Sequence, residues 1–278
     1  MTTVYPLVFR IGTFEVTGFG IMMMLGFITG GWLVALEIRR RGWNEDYGAD
    51  MIVAAVVGGV VGAKLWYVAL TGDPGALFSR GGLVWYGGFL GGVTAVILNG
   101  WRRRVPIRIT MHLAAPALAA AYAVGRVGCF VVGDDYGRPT TLPWAVKFPQ
   151  GLPPSTAGNL AALFRVAVPA DVAPNTVLAV HPTQLYEVMI MMAAFMVLWR
   201  WRLSDRPLGW LFGAYLMSAG AERFLVEILR AKDDRILGFF TLAQATSVLV
   251  VVTGLVLVTR LAGRSNPAPG EYLLRKPT

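Results

Sequence analysis

The sequence predicts an all-α, polytopic membrane protein with about seven transmembrane helices and a small extracytoplasmic cap. Of its 278 residues, 55% are hydrophobic and only 15% are charged, whereas a soluble domain carries about 25% charged residues. The apolar residues form long continuous runs, and not the alternating pattern that is typical of a membrane β-barrel. About 20 apolar residues are enough for one helix to cross the hydrocarbon core.

Seven apolar runs follow one another along the chain, and each is long enough to be a transmembrane helix. They are Thr17–Glu37, Ala49–Leu70, Leu83–Gly100, Ile109–Val132, Pro182–Leu198, Leu208–Leu229 and Leu237–Leu261. The segment before the first run has no basic region, so we do not interpret that run as a cleaved signal peptide.

Basic residues cluster after the first, third, fifth and seventh runs. The groups are Arg39, Arg40 and Arg41; Arg102, Arg103, Arg104 and Arg108; Arg200, Arg202 and Arg206; and Arg260, Arg264, Arg275 and Lys276. Because cytoplasmic loops carry an excess of Lys and Arg, the amino terminus is predicted outside and the carboxyl terminus in the cytoplasm. The same placement explains the net charge of +9 without a nucleic-acid partner.

The connections between runs suggest a division of the chain. The loop Thr71–Gly82 is short, whereas Gly133–His181 is long and rich in Gly and Pro. We expect residues 133–181 to form the cap, with Leu142–Pro149 ordered. The transmembrane catalytic domain is predicted over 1–262, and residues 263–278 are expected to be a mobile cytoplasmic tail.

Polar residues from five predicted helices fall near the outer side of the membrane. Charged side chains at membrane depth are costly, so they are candidates for function. The set comprises Lys64, Tyr86, Arg126, Asp134, Asp135, His181, Gln184, Tyr186, Glu187, Glu222, Arg223, Glu227 and Arg230.

Arg126 is the most informative residue of this set. It lies between Gly125 and Gly128, and its own helix face offers no acidic partner. We therefore expect an external anion to be its counter-ion. Because guanidinium groups match phosphate oxygens, the sequence predicts that Lys64, Arg126 and Arg223 bind a phospholipid phosphate.

Structural interpretations of the same residues remain open. Lys64 could extend to the interface, and Arg223 with Glu227 could be an intrahelical ion pair. His181 and Glu187 could brace the start of a helix. Tyr86, like Trp85 and Trp144, could be an interfacial aromatic, and Cys129 a small buried apolar residue. His112 is interpreted as structural, and we expect no metal site, since the two histidines are predicted on opposite sides of the membrane.

Several motifs in a fixed order resemble one enzyme family. They are GAKLWYV (Gly62–Val68), YGGFLGG (Tyr86–Gly92), GRVGCFVVGDDYGRPT (Gly125–Thr140), LPWAVKFP (Leu142–Pro149), HPTQLYE (His181–Glu187) and ERFLVEILR (Glu222–Arg230). Together they are similar to the prolipoprotein diacylglyceryl transferase family from the second run to the seventh.

The resemblance implies a bacterial inner (cytoplasmic) membrane enzyme with seven spans and no cofactor. Its substrates would be phosphatidylglycerol and prolipoprotein signal peptides: the diacylglyceryl group moves to the lipobox cysteine thiol, and glycerol phosphate is released. By matching position, Arg126 and Arg223 look like the essential arginines. The residues expected to shape or line the substrate site are Lys64, Asp134, Gly137, His181, Gln184, Tyr186, Glu187 and Glu227.

Three positions depart from the family pattern. Tyr86 stands where the family has the His that is its proposed general base, Cys129 where it has Asn, and Phe19 where it has Tyr. By matching position Tyr86 is the third candidate catalytic residue, as the base. With an unperturbed pKa of about 10, it would be a poorer base than His near neutral pH unless a cation such as Lys64 or Arg126 lowered that pKa. The alternatives are a divergent paralogue with another acceptor, and a lipid-binding or transport protein without chemistry. Transporters, however, usually place their sites near the midplane.

Overall fold

The computed structural model describes residues 2–12, 14–78, 84–169, 171–232, 235–236 and 240–274. Each predicted apolar run overlaps one long helix, and a short helix lies in the long loop. In chain order the helices are α1 (Gly18–Arg40), α2 (Asp46–Thr71), α3 (Trp85–Arg102), α4 (Ile107–Val132), α5 (Ala157–Ala162), α6 (Thr183–Trp201), α7 (Trp210–Glu227) and α8 (Leu242–Leu261). The prediction of a mainly helical chain is confirmed.

Among these helices α1, α2, α4 and α8 are long and apolar enough to cross a membrane. Helices α3, α6 and α7 have 18, 19 and 18 residues. At 1.5 Å per residue, such a helix spans roughly 27 Å, slightly less than a hydrocarbon core of about 30 Å. The fold is therefore that of a helical membrane protein with at least these four candidate spans.

Some predicted features lie outside the described residues. They are the first residue of the third run, Leu83; the first residues of the seventh run, 237–239; the end of the short outer loop, 79–82; and Arg275 and Lys276 of the last basic group.

Helix α4 is the central helix of the bundle, because it packs against α1, α3, α6 and α7. Many of its buried residues are small: Ala115, Ala117, Ala119, Ala120, Ala123 and Gly128. Small residues let helix backbones approach closely in a membrane. We call the end of the bundle where α4 begins the Glu37 end, and the end where α4 finishes the Arg126 end.

At the Glu37 end a buried carboxylate is surrounded by basic side chains. Glu37 is 1% exposed, and its carboxylate lies 2.6 Å from both Arg40 and Arg41. Arg202 lies 3.2 Å away and His112 3.3 Å away. Three arginines that the sequence suggested as topology signals thus also tie α1 to α4 and α6, and His112 has the structural role expected of it.

Helices α2 and α3 form a tightly packed hairpin. Gly62 and Gly87 lie so close together that a Cβ on either would overlap the carbonyl oxygen of the other. This hairpin joins the rest of the bundle near the Glu37 end. Ala63 of α2 is buried inside the hairpin, and the other buried residues of α2 are Tyr47, Gly48 and Met51 in its first two turns. The Tyr47 hydroxyl lies 2.6 Å from Thr110 Oγ1 of α4.

Short strands complete the chain: β1 (Thr2–Thr3), β2 (Val8–Ile11), β3 (Phe14–Thr17), β4 (Val146–Lys147), β5 (Ala179–Val180), β6 (Arg235–Ile236) and β7 (Phe240–Thr241). Strand β4 pairs parallel with β1 and antiparallel with β5. The pairs β2–β3 and β6–β7 are antiparallel hairpins.

We call the long loop between α4 and α6 the cap. It packs around a hydrophobic core of its own. Tyr136, Phe148, Leu160 and Val180 are buried together, and the rings of Tyr136 and Phe148 stack with centroids 5.6 Å apart. The prediction that Leu142–Pro149 is ordered is confirmed, since this segment includes β4 and Phe148.

The chain after α8 returns to the Glu37 end, and we call residues 262–274 the strap. Leu273 is fully buried, the Tyr272 hydroxyl donates to Asp50 Oδ2 at 2.9 Å, and the Arg103 guanidinium lies 4.4 Å from the Tyr272 ring centroid. The expectation of a mobile tail is therefore wrong for the described part, because an apolar and an aromatic side chain anchor it.

Candidate active site

A network of buried ion pairs joins α4 to α6 at the Arg126 end. Arg126 pairs with Glu187 of α6, and its Nη1 lies 2.9 Å from Asp135 Oδ2, just beyond α4. The Glu187 side chain is 0% exposed and that of Arg126 10%. Charges so far from water are tolerated only when they are paired.

The expectation that Arg126 needs an external counter-ion is wrong. Its own helix face offers no acid, as the sequence indicated, but a second helix and the following loop each supply one. Glu187 is 61 positions away in the chain, so local spacing did not reveal the pair.

Arg223 and Arg230 extend the network from the end of α7. Arg223 Nη2 lies 2.6 Å from Glu227 Oε2 and its Nη1 3.6 Å from Glu187 Oε1. Arg230 pairs with Asp135 and lies 3.6 Å from Glu227. The intrahelical ion pair of Arg223 and Glu227, which the sequence left open as an alternative, is thus part of the network. Three arginines face three carboxylates, so the network carries little net charge.

Accessibility distinguishes the three arginines. The side chain of Arg223 is 29% exposed, against 10% for Arg126 and 12% for Arg230. An incoming anion would therefore meet Arg223 first, while Arg126 supports the network from inside.

Asp134 and Asp135 are adjacent but electrostatically different. Burial and the neighbouring Asp135 raise the pKa of Asp134. For Asp135 the opposing effect of burial is outweighed by Arg230 and Arg126, which lower its pKa to about 2. Asp135 is therefore a fixed negative charge, whereas Asp134 takes up a proton more readily.

The first turn of α6 fixes the backbone of this acidic pair. Gln184 Nε2 donates to the Asp134 carbonyl oxygen, and Thr183 Oγ1 donates to the Asp135 carbonyl oxygen at 2.7 Å. Both α6 side chains are 0% exposed. The predicted site residue Gln184 thus positions the loop that carries the carboxylates.

Gly137 lies where three backbone segments meet. Its N–H donates to the His181 carbonyl oxygen at 2.8 Å, and a Cβ would lie 2.6 Å from the Leu229 carbonyl oxygen and 2.7 Å from His181 Cβ. Only glycine fits there, which gives a physical reason for its place among the predicted site residues.

His181 and Tyr186 lie where the cap meets α6. His181 Nδ1 is 3.2 Å from the Tyr186 hydroxyl, which also accepts a hydrogen bond from Trp144 Nε1 at 2.8 Å. Burial lowers the pKa of His181, so its imidazole is neutral at neutral pH. These hydrogen bonds hold the cap on α6.

Lys64 and Tyr86 belong to other helices than the residues of the network. Both lie on the α2–α3 hairpin. Tyr86 is 59% exposed, its ring centroid lies 5.3 Å from that of Trp85, and it has no hydrogen bond or ion pair to the network residues named above. Lys64 is half-buried on α2.

The structure adds residues that the predicted site did not include. Asp135 and Arg230 complete the network, the Tyr122 hydroxyl donates to Glu187 Oε1 at 3.5 Å, and Arg126 Nη1 donates to Cys129 Sγ at 3.2 Å. Asp135 and Arg230 were visible as charged neighbours of the motifs. Nothing in the sequence distinguished Tyr122 from the other residues of its apolar run.

Within the part of the chain that the structure describes, one group of side chains has the spacing of metal ligands. Cys129, Asp134 and Asp135 each offer a ligand atom, and these atoms lie within 4.8 Å of one another. Sequence spacing did not suggest this trio. Because Asp135 is already paired with two arginines, we assign it no metal-binding role.

Known proteins match this chain over nearly its whole length. The family model of prolipoprotein diacylglyceryl transferase matches residues 6–260. A phosphatidylglycerol–prolipoprotein diacylglyceryl transferase from Cupriavidus metallidurans is 32% identical, covering 95% of each chain. Proteins of the same name from Burkholderia mallei (32% identical, 91% of this chain and 93% of its own) and Clostridium tetani (28%, 90% and 95%) match similarly. The resemblance of the motifs is thereby confirmed, and the chain belongs to the prolipoprotein diacylglyceryl transferase family.

Proposed function

We propose that this protein transfers the diacylglyceryl group of phosphatidylglycerol to the lipobox cysteine thiol of prolipoproteins and releases glycerol phosphate. The full-length relatives that carry this name support the activity. The buried network of Arg126, Glu187 and Arg223 at one end of the bundle supports the assignment of this activity to specific residues.

For the topology we propose seven spans in the bacterial cytoplasmic membrane, formed by α1 to α4 and α6 to α8. The Glu37 end faces the cytoplasm, and the Arg126 end with the cap faces outward. Support comes from the arginines that follow α1, α3 and α6, since these loops carry the excess of basic residues expected of the cytoplasmic side.

The phosphate of the donor lipid binds at Arg223 and is stabilised by Arg126. Arg223 is the most exposed of the three arginines in the network, and Glu187 and Glu227 hold its guanidinium in place. The acceptor sulfur attacks the glyceryl carbon, the carbon–oxygen bond to phosphate breaks, and its electron pair leaves with glycerol phosphate. Fixed guanidinium groups stabilise the charge that develops on this leaving group.

The thiol proton must go to a base, because the thiolate is the nucleophile. Sequence matching proposes Tyr86, on the α2–α3 hairpin. Asp134 is the competing candidate: its Oδ1 is buried without a hydrogen-bond partner, and its pKa is raised. Turnover of the Tyr86→Phe and Asp134→Asn variants separates them, since only loss of the true base removes the pH dependence of the rate.

A divergent acceptor is the second candidate, and Cys129 favours it. This thiol accepts a hydrogen bond from Arg126 at a position where the family has Asn. Because Cys129 contacts Arg126, the change from Asn alters the polar group beside the proposed phosphate site, and with it which thiol or other nucleophile fits.

The deciding experiment uses purified protein, vesicles of phosphatidylglycerol and a lipobox peptide. Glycerol phosphate release together with a peptide mass increase by one diacylglyceryl group supports the main function. Release with an unmodified peptide indicates another acceptor, and no release with active relatives as controls refutes the transferase. Tyr86→His and Cys129→Asn variants, assayed beside the parent, report how far each departure alters acceptor use.

A further inference from the structure

A cavity of about 290 Å³ lies where the cap meets the residues that follow α7. Its lining includes the charged residues Asp135, Arg230 and Lys232, and the apolar residues Leu163 and Phe164 of the cap. Small-molecule sites usually have volumes of about 300–1,000 Å³. The cavity is thus suited to a small solute and too small for a lipid.

Asp135 connects this cavity to the buried ionic network. One carboxylate oxygen lies 2.9 Å from Arg126 Nη1, and the other pairs with Arg230. The side chain is 40% exposed, and its backbone has a positive φ of 57°. Only the carboxylate of Asp135 therefore lies between a solute in the cavity and Arg126, the arginine that supports the proposed reaction.

The chemistry of the walls selects an anion that also carries hydroxyl groups. Arg230 and Lys232 can donate hydrogen bonds to phosphate oxygens. The carboxylate of Asp135 can accept hydrogen bonds from hydroxyl groups. The ring of Phe164, whose centroid lies 5.7 Å from that of Tyr136, offers an apolar surface to a short carbon chain.

We propose that this cavity binds the glycerol phosphate released by the reaction and is its route to water. The inference rests on the proposed function, because that reaction produces the solute. The diacylglyceryl product stays in the bilayer, whereas the polar product must leave on the aqueous side. Asp135 competes with the phosphate for Arg126 and Arg230, and this competition lets the product pass from the network into the cavity.

Product inhibition by added glycerol phosphate tests the inference. Lys232→Gln removes one phosphate ligand, and Leu163→Trp fills part of the cavity from an exposed position of the cap. Lys232→Gln is expected to weaken inhibition about three- to tenfold, as the loss of one charged contact would, and Leu163→Trp is expected to weaken it because the indole occupies the space of the solute. Arg165→Gln, which removes an exposed charge next to Phe164 without lining the cavity, should leave the inhibition constant unchanged.

The outcomes separate this inference from the proposed function. If the parent forms lipidated peptide but is not inhibited by millimolar glycerol phosphate, the cavity is not a product site. An inhibition constant that is the same in Lys232→Gln, Leu163→Trp and the parent overturns it equally. Absence of any turnover in the parent would instead refute the transferase, and direct titration with glycerol phosphate would then decide whether the cavity binds this solute.

Discussion

The carboxylate of Glu187 and the guanidinium of Arg126 form an ion pair that is almost completely shielded from solvent. Within a helix bundle such a pair has no water to replace a missing partner. Removing one member of a buried pair therefore costs about 3–5 kcal/mol, since the other charge is left buried alone. The pair is both a structural tie between α4 and α6 and the support of the proposed phosphate site.

A double-mutant cycle measures this relationship. Glu187→Gln and Arg126→Gln should each lower the unfolding free energy in detergent by about 3 kcal/mol or more. The double variant should lose less than the sum, by about 0.5–3 kcal/mol, because no lone charge remains. Strictly additive losses would mean that the two side chains do not interact.

Asp135 should make the stability depend on acid pH. Its folded pKa is about 2, below an ordinary value of about 3.9, so its stabilising effect is complete above about pH 4 and is lost as pH falls towards 2. Melting temperatures of the parent and Asp135→Asn should therefore differ by a constant amount near neutral pH and converge in acid. A difference that does not change with pH would contradict the ion pairs of Asp135.

The strap should stabilise the Glu37 end through Leu273. Because this side chain is 0% exposed, Leu273→Ala should cost about 2–5 kcal/mol of unfolding free energy. Leu274 is the matched control: it is the next residue and 55% exposed, so Leu274→Ala should have little effect. Equal effects of both substitutions would show that the strap is not packed as described.

The α2–α3 hairpin should tolerate alanine at Gly59 but not at Gly62. A Cβ at Gly59 meets its nearest atom at 3.6 Å, an ordinary contact, whereas one at Gly62 overlaps the Gly87 carbonyl oxygen. Forcing the helices apart should cost about 1–3 kcal/mol, seen as a lower melting temperature for Gly62→Ala alone. Similar melting temperatures for the two variants would rule out the close crossing.

Local patterns were sufficient to predict the helices and most of the site. Continuous apolar runs predicted α1 to α4 and α6 to α8, because an apolar run of this length is typical of a helix in a membrane protein. The motifs around Arg126, Glu187 and Arg223 predicted residues that the fold brings into one network. These features depend on composition or on segments with a strong local signature.

Partners at long range could not be predicted in the same way. The pairing of Arg126 with Glu187, and of Glu37 with Arg202, depends on how helices pack, which spacing along one helix does not encode. The strap is held in place by two side chains, Tyr272 and Leu273, in a tail that also contains proline and several polar residues. The attachment of the hairpin near the Glu37 end likewise depends on tertiary packing, and it separates Tyr86 from the contacts of the network.

Transferase activity of Arg126→Gln shows whether the buried arginine of the network is needed for the reaction. Glycerol phosphate release from phosphatidylglycerol is measured with the lipobox peptide present, beside Arg165→Gln as a charge-matched control in the cap. Arg126→Lys, which keeps a positive charge opposite Glu187, replaces the Gln variant if that protein does not fold. Arg126 variants that elute as folded protein should lose about 100-fold or more of this activity, with the control unchanged. Full activity without the Arg126 guanidinium would contradict its role in the reaction.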